Sequence, residues 1–289
     1  MFGQKEKIKT GIVFLLFLSA VLSWSAVLAQ DSSNFWRVNF LDIGQGSAVF
    51  IASPGGRQVL VDGGPGGAIL PKLGAKMPFY DKAIDVLILS HPDADHLAGL
   101  YAVLKNYQVD LVWQTCVKDN STLYAQWQEL LLQKGVPVHC ARAGDTLMLG
   151  SGGRLQILYP FSDLTGQEFK DSNQSSIVLR LDIGQNSFLL TGDADKKVER
   201  GLAFYHMPMD VNFLQAGHHG SKTSTSELFL QTVKPQAAII QAGQNNKYGH
   251  PHQSVLDLLE KYSIQVLRTD QAGDIDFVCG QQECFLQAD

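Results

Sequence analysis

The chain has 289 residues, 45% of them apolar and 18% charged, with a net charge of −5 at pH 7. That composition supports a packed core and excludes a disordered chain, and the length fits one large α/β domain or two small ones. An acidic chain draws no nucleic acid through its overall field, so contact with DNA must rest on a local patch or on metal ions.

At the N-terminus, Lys5, Lys7 and Lys9 precede an almost wholly apolar run over 11–22, and small residues lead to Val27-Leu28-Ala29. Basic start, apolar middle and small-residue exit read as a secretory signal peptide over 1–29, cleaved after Ala29. The competing reading is an uncleaved anchor, for which the run is short of the roughly 20 residues a full span needs. In that case this segment is the one route to a membrane. The segment carries three Lys and one Glu, so its removal takes the net charge from −5 to −7. No strong basic surface is expected on the remainder, and no feature fixes the oligomeric state.

Residues 34–64 read as β: strands over 35–43, 47–52 and 58–61, with Pro54-Gly55-Gly56 as a turn and Asp62-Gly63-Gly64 closing the third. A buried strand over 83–89, a helix over 97–107 and a strand, helix, strand series over 109–140 follow, with the helix at 122–134. A second β region spans 146–193. Next come a helix over 196–206, a strand over 211–216, a helix over 224–233, a strand over 237–241 and a helix over 253–262, before short closing strands. Residues 47–64 and 176–193 share a pattern of strand, turn, strand and a Gly-containing loop with Asp. They read either as two related halves packed sheet on sheet or as two unrelated hairpins. No Pro- or Ser-rich linker divides 34–289, which is expected to be one domain.

The strongest local pattern is His91-Pro92-Asp93-Ala94-Asp95-His96, at the end of an apolar strand and before a helix. A helix cap would use one such residue, and Asp95 could serve; this loop spends four. Imidazoles mixed with carboxylates suit Zn²⁺, Mn²⁺ or Fe rather than Ca²⁺. Three later loops follow apolar strands in the same way: Thr191-Gly192-Asp193, Gly217-His218-His219-Gly220-Ser221 and Tyr248-Gly249-His250-Pro251-His252. Six of the eight histidines fall in these three loops and the His91–His96 motif, a distribution that scattered core histidines would not show. His139 and His206 read as structural or surface residues. Asp62 either hydrogen-bonds a ligand histidine from behind or caps its own turn.

The four cysteines, Cys116, Cys140, Cys279 and Cys284, read as two disulfides in an exported chain. Cys279 and Cys284 flank Gly280-Gln281-Gln282-Glu283, which reads as a hairpin tip. Cys116 and Cys140 each end a strand-like run, and neighbouring parallel strands would bring them together. A thiolate metal site is the alternative, without the Cys-x-x-Cys spacing it favours.

The loop at His91 resembles the His-x-His-x-Asp-His signature of the metallo-β-lactamase superfamily, with Asp93 in place of the second His. Together with Leu41-Asp42-Ile43-Gly44-Gln45-Gly46, Gly217-His218-His219-Gly220-Ser221-Lys222-Thr223-Ser224 and Tyr248-Gly249-His250-Pro251-His252, it resembles the C-terminal hydrolase domain of ComEC-type DNA-uptake proteins over about residues 36–276. The large membrane channel of those proteins is missing from this sequence, which reads as the hydrolase domain alone with its own export signal. The resemblance implies a four-layer αββα sandwich, two mixed sheets with helices outside, and two divalent ions, Zn²⁺ or Mn²⁺, where the sheets meet. It assigns His91 and Asp93 to one ion, Asp95 and His96 to the other, Asp193 to a bridge and His250 to completing the second site. The superfamily's further His before the bridging Asp is missing, which leaves the first site one ligand short and partly occupied; Asn173, Asp171 or His218 is left to fill it. The family usually carries Asp where this chain has Ser47.

Two divalent ions about 3.5–4 Å apart lower the pKa of a water between them enough for attack on phosphorus or a carbonyl carbon. The implied activity is phosphodiester hydrolysis on DNA. Hydrolysis of another ester, a thioester or a β-lactam is the alternative within enzymes, and a non-catalytic metal- or DNA-binding module is the alternative outside them. In the Gly217–Ser224 stretch, His219, Lys222 and Ser221 either contact phosphate oxygens and the leaving group or form a capping turn before the next helix. Asp95 joins His219 and Lys222 as a catalytic candidate. His252, one turn beyond His250, is a further contact candidate.

Overall fold

In the computed structural model, which describes residues 2–32 and 35–287 and the side chains of 9–25 and 35–287, the β-rich pattern forms two sheets. The first half of the chain supplies helix α1 (Phe2–Ser32), strands β1 (Trp36–Phe40), β2 (Val49–Ala52) and β3 (Gln58–Val61), helix α2 (Ile69–Lys76), β4 (Ala83–Ile88), α3 (Ala94–Asn106), β5 (Gln108–Gln114), α4 (Thr122–Lys134) and β6 (Val138–Cys140). The second supplies β7 (Thr146–Gly150), β8 (Gly153–Tyr159), β9 (Val178–Ile183), β10 (Asn186–Leu190), α5 (Lys196–Phe204), β11 (Phe213–Gln215), α6 (Glu227–Val233), β12 (Ala237–Ile240), α7 (Gln253–Lys261), β13 (Gln265–Arg268), α8 (Thr269–Ala272), β14 (Ile275–Cys279) and β15 (Cys284–Leu286). Single 3₁₀ turns form at Ser172–Ser175 and Gly217–Gly220.

One sheet runs β15-β14-β1-β2-β3-β4-β5-β6 and the other β13-β12-β11-β10-β9-β8-β7. Three apolar layers explain the packing. Trp36, Val38, Phe40, Ile157, Leu181, Phe188 and Phe277 are among the side chains meeting between the sheets. Leu60, Leu87, Leu97, Leu100 and Trp127 join the first sheet to α2, α3 and α4. Leu189, Val198, Leu214, Phe229 and Leu259 join the second sheet to α5, α6 and α7. Each sheet buries both faces, which is why its central strands read as unbroken apolar runs rather than alternating ones. The result is the four-layer αββα sandwich with two mixed sheets.

The two echoed stretches occupy matching places. β2 and β3 form an antiparallel hairpin after which the sheet continues parallel through β4, β5 and β6. β9 and β10 form another, continued parallel through β11, β12 and β13. Asp62 leaves β3 and Asp193 follows the end of β10, so the two halves present their carboxylates from equivalent strand ends.

Helix α2 is an element the sequence pattern does not reveal, because Pro71 and Gly74 interrupt it. Pro71 falls in the first turn, where its missing N–H costs nothing. Ile69 and Leu73, four apart, are fully buried, while Lys72 pairs with Asp274 at 2.6 Å and Lys76 pairs with Asp276. Tertiary burial and these ion pairs hold the helix.

Both cysteine pairs are disulfides. Cys116 follows β5, whose Gln114 lies beside Cys140 on parallel β6, and the Cα atoms are 5.4 Å apart. Cys279 and Cys284 face each other across the β14–β15 hairpin, 4.0 Å apart at Cα. Along α1, the large apolar side chains from Ile12 to Trp24 are exposed. No helix among the described residues is long and apolar enough to cross a membrane, and the side chains around the expected cleavage point at Ala29 lie outside the described ones.

Candidate metal centre

The centre forms where helix α3 is forced against the end of β3. Gly63 and Gly99 make that approach: a Cβ at Gly99 would lie 1.6 Å from the Gly63 carbonyl oxygen, and one at Gly63 would lie 2.2 Å from the Leu100 nitrogen. Backbone bonds lock the contact, Gly63 N–H to His96 O at 2.8 Å and Gly99 N–H to Gly64 O at 2.9 Å. The Leu41–Gly46 motif supports it from below, with Gly46 set against the Asp95 carbonyl so closely that a Cβ would be 2.3 Å away. The helix starts at Ala94, three residues earlier than its pattern indicates, so Asp95 and His96 sit in its first turn. Asp93 holds the N-cap position but caps nothing with its side chain. Its carboxylate instead accepts from the Ser172 hydroxyl at 2.5 Å and faces His91 Nε2 at 3.7 Å.

Two overlapping groups of ligand atoms result. His91, His96 and Asp193 each bring one such atom within 4.8 Å of the others, and so do Asp95, His96 and His219. His96 Nε2 lies 3.2 Å from Asp193 Oδ1; His219 Nε2 lies 3.4 Å from Asp95 Oδ2 and 3.5 Å from Asp193 Oδ2. In all three histidines Nδ1 is engaged from behind, His91 by Ser90 Oγ at 3.0 Å, His96 by Asp62 Oδ2 at 2.8 Å and His219 by the Gln241 carbonyl at 3.0 Å. Asp62, at φ 58°, also accepts from Ser90 N–H and Oγ, both at 2.8 Å. This arrangement keeps the proton on Nδ1 and turns the Nε2 lone pair inward, as metal-ligating histidines require.

The inward atoms fit a cation. Nε2 of His91, His96 and His219 and Oδ1 of Asp193 are buried without a hydrogen-bond partner, which costs roughly 1–3 kcal/mol for each such group. Divalent ions held by imidazole nitrogens and carboxylates would satisfy them together. The local field is negative and favours a positive charge at this point. Burial would push the His96 pKa down, but Asp193 and Asp62 on either side hold it well above the histidine range. Burial would raise Asp193, yet His219 and His96 hold it well below the carboxylate range. Asp95 is lowered in the same way: burial opposes, and His219 and His96 prevail.

Neither Asp93 nor His250 is among these ligand atoms, although His250 Nδ1 is also buried without a hydrogen-bond partner. The resemblance assigns His250 to completing the second site; the histidine with a ligand atom within 4.8 Å of those of Asp95 and His96 is His219. The Gly217–Gly220 turn explains this: His218 and His219 adopt left-handed φ of 51° and 55°, which aims the His219 ring at Asp95 and Asp193. His250 stands behind, its ring centroid 6.2 Å from that of His219 and 5.5 Å from that of His218. Burial, reinforced by His219 and His218, lowers its pKa to about 4. His218 Nε2 is 3.6 Å from Asp193 Oδ2 on the side of the first group, with its Nδ1 near Thr223 Oγ1 at 3.1 Å and Asn173 Nδ2 at 3.4 Å.

Other expected residues fall farther out. Asp171 accepts from Asn173 N–H at the start of the 3₁₀ turn and is exposed. In the Gly217–Ser224 stretch, His218 N–H reaches Gly192 O and Ser221 N–H reaches His218 O. Ser221 Oγ bonds Thr223 Oγ1 at 2.9 Å. Lys222 is exposed, and its N–H donates to His252 Nδ1 at 3.3 Å. Ser90 and Ser172 went unread as site residues; adjacency to His91 and to Asn173 were the signals available. The Gln241 carbonyl is backbone and leaves no trace in residue type.

Removing the Asp62 carboxylate frees His96 Nδ1 and leaves Ser90 without its acceptor. Asp62→Ala is expected to weaken metal binding about 10- to 100-fold, read by titration against a competing chelator. Unchanged affinity would show that this bond does not orient His96.

A two-sheet sandwich with a His/Asp cluster at the sheet edge defines a class. The chain belongs to the metallo-β-lactamase superfamily, whose family model matches residues 41–244. Within it, the chain is homologous to competence proteins. It is 35% identical to ComE operon protein 3 of Bacillus subtilis (strain 168), over 92% of this chain and 34% of that protein. It is 35% identical to Recombination protein 2 of Haemophilus influenzae over 92% and 31%, and 33% identical to Competence protein ComA of Neisseria gonorrhoeae over 92% and 35%. The chain therefore spans about a third of the length of these relatives. Among solved structures, the metallo-β-lactamase fold protein YhfI from Bacillus subtilis superposes with a TM-score of 0.57 at 14% identity, over 85% of this chain and 100% of that one. CmlA, a diiron β-hydroxylase from Streptomyces venezuelae, superposes at 0.54 and 16% identity, over 87% and 54%. Both similarities concern the fold.

Proposed function

We propose that this chain is an exported metal-dependent phosphodiesterase acting on DNA. The observation that carries the reading is that buried His91, His96 and His219 Nε2 and Asp193 Oδ1, none with a hydrogen-bond partner, fall in two overlapping ligand groups that share His96. His91, Asp93 and Asp193 would hold one divalent cation, Zn²⁺ or Mn²⁺, and Asp95, His96, His219 and Asp193 a second. Bound there, such ions supply Lewis acidity and a water acidic enough to attack an ester near neutral pH. The chain's own residues do the rest. Asp62 and Ser90 fix His96 and His91, Ser172 fixes Asp93, and Asn173 and Thr223 orient His218 beside Asp193. Lys222 is an exposed cation for phosphate oxygens. His250, neutral at pH 7, is available to accept a hydrogen bond from the substrate. The recombination and competence relatives support DNA as substrate. The disulfides, those relatives and the exposed apolar α1 support export.

The full chain, purified without chelator, is expected to contain one to two Zn²⁺ or Mn²⁺ per molecule by elemental analysis. It is expected to hydrolyse bis-p-nitrophenyl phosphate and single-stranded DNA, and to leave a chromogenic cephalosporin intact. Cephalosporin turnover alone would redirect the reading to β-lactams, and activity in metal-stripped protein would overturn it.

A further inference from the structure

At the Ser172–Ser175 turn, which contributes Gln174, lies a cavity of about 220 Å³ lined by Tyr159, Phe161, Phe169, Gln174, Lys197 and Val198. We propose that this cleft is a nucleobase subsite, which seats one base of a single-stranded substrate while its backbone crosses the metal centre. The inference rests on the phosphodiesterase reading and names the substrate feature that site takes.

Placement comes first. Asn173 meets His218 at the metal centre, and Gln174, the next residue, forms a wall of the cavity. Lys197, which also lines it, stands four residues beyond Asp193. The cleft and the centre are thus built from the same two short segments. The walls are aromatic: Tyr159 and Phe161 meet edge to face at a centroid distance of 5.0 Å, and Phe161 continues to Tyr205 at 4.6 Å. Tyr159 is fixed by donating its hydroxyl to the Gln174 carbonyl at 2.7 Å. Phe161 leans on α5, where a Cβ at Gly201 would come within 2.9 Å of its ring. Rings held in this way offer π-faces, and bases stack on such faces with little regard to sequence.

The polar groups match the rest of a nucleotide. Lys197 Nζ donates to Gln174 Oε1 at 3.1 Å and sits at the rim, where it can reach a backbone phosphate. The nearby carboxylate of Asp195 is taken up by the backbone N–H groups of Lys197 and Val198 at 2.9 and 3.0 Å. The volume is below the roughly 300–1,000 Å³ of sites for drug-sized ligands, which fits one ring system and excludes a folded peptide. It also suits an acidic chain acting on DNA, because stacking on aromatic faces does not depend on net charge.

The test uses the full chain and two fluorescent single strands of equal length, oligothymidylate and the same backbone with abasic residues. In EDTA, where turnover stops, anisotropy is expected to show oligothymidylate binding about tenfold more tightly. Phe161→Ala and Lys197→Ala are each expected to weaken oligothymidylate binding, and Phe161→Ala to remove the preference over the abasic strand. Equal binding of the two strands by the wild-type chain overturns the subsite, and so does a preference that survives Phe161→Ala. With Mn²⁺ or Zn²⁺ present, binding without cleavage of either strand or of bis-p-nitrophenyl phosphate would sink the phosphodiesterase reading while leaving the base preference standing.

Discussion

Asp193→Asn is expected to lower hydrolysis by about 10³-fold, equivalent to ~4 kcal/mol of transition-state stabilisation, and to reduce bound metal below one ion per chain. Asp193 is the carboxylate common to the whole centre: Oδ1 faces His96, and Oδ2 faces both His219 and His218. Asn keeps the shape and one oxygen but loses the charge that draws cations. The fold is expected to survive. Asp193 N–H still bonds Ser176 Oγ at 3.2 Å, and the amide keeps an acceptor oxygen where Oδ1 faces His96. Melting temperature in EDTA within a few degrees of wild type would show this. His250→Ala makes the contrast. Its ring lies outside both ligand groups, so a loss under tenfold is expected, against a loss like that of Asp193→Asn if it were a ligand. Full activity in Asp193→Asn would end the metal reading; equal collapse in His250→Ala would return His250 to the ligand set.

That contrast marks where the sequence was legible. The layers were readable because each sheet is covered on both faces, so strands such as Ala83–Ile88 appear as apolar runs and helices such as α4 show caps at both ends, Ser121 and Gly135. The ligand loops were readable because each follows a strand end, where chain direction carries side chains to a common edge. The choice between His219 and His250 was not. It depends on left-handed backbone at two consecutive non-glycine residues, His218 and His219, a conformation that residue type disfavours and tertiary packing imposes. Helix α2 was hidden for a related reason: its stability comes from Asp274 and Asp276, some 200 residues away in the chain. The nucleobase cleft was equally invisible, since Tyr159, Phe161 and Phe169 read as ordinary apolar residues until the Ser172–Ser175 turn is placed beside them.

Ser47, where ComEC-type domains usually carry Asp, yields the second large effect. Ser47 is 2% exposed and joins the two halves of the molecule through neutral amides. Gln215 Nε2 donates to Ser47 Oγ at 2.7 Å and to Gln241 Oε1 at 2.9 Å, while Gln241 Nε2 donates to the carbonyls of Leu41 and Ala48. None of these partners carries a positive charge. Ser47→Asp therefore buries a carboxylate with no ion to pair it, at a cost of about 3 kcal/mol or more. The new carboxyl would have its folded pKa raised above the unfolded value by burial. The destabilisation is thus small below pH ~4, where both states are protonated, and grows as pH rises above it. Adding Gln215→Lys supplies the missing cation at the atom already 2.7 Å from Ser47 Oγ. It forfeits the bond from Thr191 N–H to Gln215 Oε1, so rescue is expected to be partial, about half of the loss. Thermal melts of the two single variants and the double variant at pH 5 and pH 8 measure the coupling. Additive losses, or a Ser47→Asp penalty that shrinks as pH rises, would show that the amide network does not set the charge this position tolerates.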